Sequence, residues 1–248
     1  MGAMVATATQ MDAVLLSARQ DPTAAESEWL RLLNSFAEPA CVVECGLAEA
    51  LITRQHLQAA YPRQAAVLGA DKMGLLATLL LRLRGIAVVT LGDVLQPLLT
   101  PRRLQMLSGW RHVGMSPALD RTQLVVETGA HYVSTRELTL EEAKDAFGPF
   151  DLIVAKAAEF SVLKATRGLA EKGVLLDLAE DATVEIWAAS PTPCLLVRHQ
   201  VALKTASSDR VAYERAVKDL AFADLQYPGW LARAADALNA GPQERGPS

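Results

Sequence analysis

Gly69-Ala-Asp71-Lys72-Met73-Gly74 sets two glycines between a short apolar run, Ala65–Leu68, and a longer one that starts at Met73. In a dinucleotide-binding turn of the form GxGxxG the first glycine makes the tight turn. The second lets the backbone approach a pyrophosphate, and the third lets helix and strand pack closely. Here the first and third stand at Gly69 and Gly74, and the middle position is Asp71. A carboxylate there occupies the approach path and brings negative charge to a helix N-terminus that would otherwise attract phosphate. Two readings stay open. Either only the turn survives, with Asp71 as a helix cap, or the crevice takes a cofactor in an unusual pose or a different ligand. If a nucleotide binds, its contacts are expected at Gly69, Asp71, Lys72, Met73 and Gly74, with Lys72 partly offsetting Asp71. Asp93 lies near the spacing, about 20 residues beyond the turn, of an acid that binds a ribose hydroxyl; a lone Asp opening a loop also serves as a cap.

Lys156 follows the apolar segment Asp151–Ala155. A lysine at the C-terminal end of a parallel strand faces the crevice where open α/β sheets bind ligands. With Asp71, Glu159 and Asp177 expected nearby, it is a candidate acid/base or anion-binding group. Lys156, Asp71 and Glu159 are the candidate catalytic set, although an ion-paired Lys156 filling a vacated site is an equal reading. Cys41 and Cys45 can share a helix face, but a zinc site takes three or four protein ligands. No second Cys pair or His-rich segment completes one, so buried packing is expected and no metal. His56, His112, His131 and His199 are dispersed and read as structural or surface residues.

The elements that must position these groups alternate. A weakly patterned N-terminal arm, residues 1–27, carries a helix near Met11–Arg19. A short helix over Trp29–Phe36 is expected to break at Glu38-Pro39, with Pro39 opening the next helix. From there the expected order is strand 65–68, helix 73–84, strand 86–89, a long proline-punctuated insertion over 91–119, helix 120–128 and strand 131–134. Then come a helix opened by the capping-box spacing Thr139–Glu142 and closed by Gly148, strand 151–155, helix 161–169 and strand 174–176. Extended segments at 194–197 and 201–204, a helix over 209–225, a last short helix and a disordered tail at 241–248 complete the chain. Strands alternating with helices imply right-handed βαβ units. The fold class is therefore α/β: a Rossmann-type doubly wound parallel sheet, one domain over 28–240 with an N-terminal helical arm.

Four stretches, taken with the turn, resemble the cofactor domain of zinc-type medium-chain dehydrogenases, the glucose dehydrogenase branch in particular. They are Glu38-Pro39 followed by Val42-Val43-Glu44, Gly129–Thr135, Phe150–Val154, and Tyr213–Leu220 with Pro228-Gly-Trp-Leu231. The resemblance spans roughly residues 28–235. It implies a dinucleotide crevice and, through the edge strands at 194–204, a homodimer. It also implies an N-terminal catalytic domain with zinc ligands, for which this chain has no room. The departures matter as much. Where the family shows Glu-Ala-Thr-Gly after the fourth strand, this chain has Ala155-Lys156-Ala157-Ala158; where it shows Thr-Gly after the fifth, this chain has Leu178-Ala179 followed by Glu180 and Asp181. Glycines are thus replaced at three turns facing the crevice, with new charges beside each. The expectation is a repurposed protein: a non-redox or different-ligand enzyme, or a non-catalytic partner subunit, with either no cofactor or NAD(P). The alternative is a pared-down NAD(P)-dependent oxidoreductase completed by the insertion or another chain.

Composition sets the outer bounds. At 248 residues, with 51% hydrophobic and 21% charged side chains, the chain can bury a sizeable core. A net charge of −4 argues against a nucleic-acid partner. Three cysteines fit a reduced, cytoplasmic setting. No stretch has the pattern of a signal peptide or membrane span. A small-molecule ligand and a partner protein remain the expected associates.

Overall fold

In a computed structural model, the described residues are 23–92, 117–135, 139–155, 165–178, 183–189, 196–202 and 210–239. The reading of a helix near 11–19 and of a tail at 241–248 falls outside them, as does most of the insertion.

Helix α1 (Ala24–His56) opens with a reciprocal capping box between Thr23 and Glu26, and so begins inside the stretch read as an arm. It runs unbroken through Pro39, which corrects the expected break. Proline has no N–H to donate to the carbonyl four residues back, here Ser35. The ammonium of Lys72 donates to that carbonyl at 2.9 Å instead. Leu33, Phe36 and Ala37 before the proline and Ala40, Cys41 and Val43 after it are all buried in the same apolar cluster. Burial on both sides holds the helix together where its own ladder is interrupted.

Among the described residues seven strands form one sheet in the order β3-β2-β1-β4-β5-β6-β7. They are β1 (Gln64–Leu68), β2 (Ala87–Gly92), β3 (His131–Ser134), β4 (Phe150–Ala155), β5 (Leu169–Leu178), β6 (Thr183–Ala189) and β7 (Leu196–Ala202). Neighbours are parallel from β3 across to β5, and β6 and β7 then add antiparallel. The Rossmann-type core is as expected, and its edge is mixed. Three local expectations change. Strand β5 starts at Leu169, which the sequence pattern assigns to the end of a helix; the segments 194–197 and 201–204 are represented by one strand over 196–202; and β6 has no counterpart in the sequence pattern. Leu169 is buried and pairs with Phe150, so sheet pairing claims the last residue of the expected helix, while Ala165 and Thr166 before it are helical.

The other helices among the described residues are α2 (Lys72–Leu83), α3 (Pro117–Glu127), α4 (Leu140–Phe147), α5 (Arg210–Gln226) and α6 (Trp230–Asn239). Strand residues alternate between two apolar clusters, as a pleat requires. Val67, Val88, Leu152 and Leu176 join the larger one, with α1, α2, α3, α5 and α6. Ala66, Leu68, Val89 and Ile153 join the smaller, covered by Leu140, Ala143 and Phe147 of α4. Trp230 is fully buried and donates to the Leu124 carbonyl, which fastens the C-terminal helices to α3. At the start of β4, buried Arg54 bridges the Asp151 carboxylate and the carbonyls of Ala60, Asp151 and Lys172.

Candidate functional site

The strand-to-helix turn at the end of β1 keeps the backbone form of a nucleotide turn. Gly69 has φ of 106°, a region that L side chains avoid, and its N–H donates to the Leu91 carbonyl at 2.7 Å, tying the turn to β2. Gly74 lies so close under the turn that an added Cβ would sit 2.2 Å from the Gly69 carbonyl oxygen. Both outer glycines therefore fill the geometric roles that the sequence pattern assigned to them.

Asp71 does what the first of its two readings required. It is the N-cap of α2, extended in backbone, and its Oδ1 accepts from the Gly74 N–H at 2.8 Å. A helix presents four amides at its N-terminus without partners of their own, and these are what bind a phosphate. One of them is already satisfied here by an internal carboxylate. The charge that the helix dipole favours is likewise supplied by the chain itself. The residues present do not fit a pyrophosphate in the usual pose over this turn.

Lys72 reaches across to α1. Its ammonium donates to the Ser35 carbonyl and sits 4.8 Å from the centre of the Phe36 ring. Burial lowers its pKa from the usual lysine range. Met73 is half-buried and packs on the larger core. Of the proposed nucleotide contacts, Gly69, Asp71, Lys72, Met73 and Gly74 share this turn, whereas Asp93 lies outside the described residues.

Lys156 and Glu159 also lie outside them, as do Glu180, Asp181 and His112. The strand ends that lead to them are described. Ala155 closes β4 in register with Asp177 on β5, and Asp177 is in register with Glu185 on β6. Asp177 is buried. Two carboxylates thus occupy facing positions on the β5–β6 ladder beside the strand end that precedes Lys156. Glu185 was not singled out from the sequence, because the strand that carries it was not recognised.

Two further features escaped the sequence reading. Thr135 donates through both its N–H and its hydroxyl to the Gly92 carbonyl, fixing the ends of β2 and β3 where Asp93 begins. On the helix side, Glu44 of α1 is buried and ion-paired with Arg84, at the end of α2. Asp219 of α5 meets the same pair, and its pKa is pushed up to about 6 by burial, with the Glu44 charge adding and Arg84 opposing. The charge of Glu44 was visible in the sequence, but its partners lie far along the chain.

The two histidines whose surroundings are described, His56 and His131, stand at the surface. His131 is exposed and contacts the Phe147 ring, and His56 lies exposed in the last turn of α1. Cys41 is buried and Cys45 half-buried on α1. Among the described residues no group of three or more His, Cys, Asp or Glu side chains is arranged to hold a metal ion. Among them, too, no helix is long and apolar enough to cross a membrane.

The family described as "Glucose dehydrogenase C-terminus" matches residues 33–234. Glucose 1-dehydrogenase of Methanocella arvoryzae is 26% identical over 208 residues, which are 82% of this chain and 52% of that protein. The solved structure of Haloferax mediterranei glucose dehydrogenase in complex with NADP, Zn and gluconolactone is 21% identical, with a TM-score of 0.49, over 80% of this chain and 50% of that one. A second structure of the Haloferax enzyme is 20% identical with a TM-score of 0.46, over the same shares of the two chains. The chain therefore spans about half the length of the relatives it matches.

Proposed function

This chain belongs to the glucose dehydrogenase C-terminus family, and from that premise we infer that it is a divergent member whose crevice is rebuilt for a small molecule other than a conventionally bound dinucleotide. The observation that carries this reading is the Asp71 carboxylate bonded to the Gly74 amide, an internal anion where a pyrophosphate would dock. Asp177 at the end of β5, with Lys156 and Glu159 in the segment after β4, supplies polar and charged groups for such a ligand. Lys156 is the proposed acid/base or anion-binding group, with Asp71 and Glu159 as its carboxylate partners. Non-redox chemistry on that ligand, or service as the ligand-sensing partner of another chain, are the roles this arrangement suits. A homodimer formed through the edge strand β7 accompanies this reading.

A specific observation favours a second reading. Gly69 and Gly74 retain the turn and the close helix–strand approach of a dinucleotide site. The second reading is an NAD(P)-dependent oxidoreductase that draws its missing groups from the insertion at about 91–119 or from another chain.

Titration of the purified protein with NADH and NADPH, followed by calorimetry and nicotinamide fluorescence, separates the two. The first reading expects no binding at micromolar concentrations. Micromolar binding to either nucleotide would overturn it and make the second the leading reading. The Asp71→Gly variant refines a negative result. Restored binding would identify Asp71 as the sole obstacle, and continued failure would show that the whole crevice has changed.

A further inference from the structure

Lys72 is the residue immediately after the cap of the nucleotide turn, yet it serves a different helix. Pro39 is the proline inside α1, and the hydrogen bond it cannot make is the one to the Ser35 carbonyl. That same carbonyl receives the Lys72 ammonium at 2.9 Å, while the Phe36 ring beside it lies 4.8 Å from the same nitrogen. An orphaned helix carbonyl is satisfied by a cation, and the cation is held by an aromatic face on the same helix. The correspondence between the bond the proline removes and the bond the lysine supplies is one of identical acceptor atoms.

We propose that Lys72 is a latch that holds α1 continuous across Pro39 and couples the setting of α1 to the position of the nucleotide turn. Helices bend at proline because one rung of the ladder is missing and the carbonyl turns outward to find a donor. With Lys72 in place the donor comes from α2, so the open carbonyl is satisfied only while the first turn of α2 stays where it is. Any shift of the Gly69–Gly74 turn is delivered to α1 at the rung that α1 cannot close for itself. From there α1 reaches the rest of the helical layer, through Glu44 with Arg84 and through the Trp29 indole, which donates to Asp224 of α5. The latch is independent of which ligand the crevice takes.

A thermodynamic cycle on Lys72→Met and Pro39→Ala tests it, read by chemical denaturation and by hydrogen exchange of the amides of residues 36–43. In the native Pro39 background, Lys72→Met is expected to lower the denaturation midpoint and to speed local exchange across 36–43. In the Pro39→Ala background the amide of residue 39 can close the rung, so the same lysine change is expected to have a clearly smaller effect on both readouts. Equal effects in the two backgrounds would overturn the latch, as would a fall in the midpoint with no local change in exchange. If Lys72→Met alone does not fold, the double variant still decides. Recovery of folding in the Pro39→Ala background supports the latch, and failure in both backgrounds refutes it.

Discussion

Helices α2 and α4 begin with the same device and put it to different use. Each N-cap residue is extended and accepts a hydrogen bond from the amide three residues on: Thr139 from Glu142, Asp71 from Gly74. At α4 the bond is reciprocal, because the Glu142 carboxylate returns to the Thr139 amide at 2.7 Å on an exposed face. At α2 the third position is a glycine, which the close Gly69 carbonyl requires, so no side chain can return the bond. The cap there is a carboxylate, and it stands at the mouth of the crevice. Capping at α4 completes a helix. Capping at α2 completes a helix and, on the reading proposed above, also fills an anion site. A residue type that looks interchangeable in a table of N-caps thus takes its meaning from what else the helix end faces.

Four substitutions break or sharpen that contrast. The largest effect is expected from Gly74→Ala, whose methyl has no room against backbone. It should destabilise the protein by about 3 kcal/mol or more, measurable by chemical denaturation, whereas an alanine at the third position of α4 would meet no such wall. A near-neutral Gly74→Ala would mean that the turn is looser than described.

Asp71→Ala is expected to lose about 1 kcal/mol of stability as a cap and to gain affinity for inorganic pyrophosphate, followed by calorimetry. The stability loss without any gain in anion binding would remove the second role assigned to Asp71. Thr139→Ala should show a stability loss no greater than that of Asp71→Ala, with no change in pyrophosphate binding. That pair of results would separate capping from site occupation.

A pH prediction concerns the far end of α2, at Arg84. Asp219 carries a raised pKa, about 6 against an ordinary 3.8, because burial and Glu44 disfavour its charge. The folded state therefore binds the proton more tightly than the unfolded state. Its contribution to stability is full below about pH 4 and is lost as pH rises through about 6. Asp219→Asn should remove this portion of the pH dependence, so that its melting temperature gains on the wild type between pH 4 and 7. Parallel melting curves for the two proteins would refute the assignment.

Much of the fold was legible because its signals are local. Gly69 and Gly74 punctuate a strand and a helix, Thr139 and Glu142 form a capping box at the expected spacing, and His131–Ser134 is a strand with the predicted limits. Apolar runs at β1, β2 and β4 mark the parallel core. The continuity of α1 was not legible, because a proline argues locally for a break and the donor that repairs it, Lys72, lies beyond β1. Strand β6 was missed because Thr183–Ala189 includes Glu185 and Trp187, without a clean apolar run, and its partners are strands on either side.

The same division applies to the site. The sequence by itself determined that a nucleotide-type turn exists and that its middle position carries a carboxylate, since both follow from residue type and spacing along a few consecutive positions. Only the tertiary structure decided what Asp71 and Lys72 do there. Asp71 bonds within its own helix because Gly74 offers its amide at the right distance, and Lys72 turns to α1 because Pro39 leaves the Ser35 carbonyl open beside it. A charged side chain goes to whichever partner the fold brings within reach, and here the fold brings one of them from another helix.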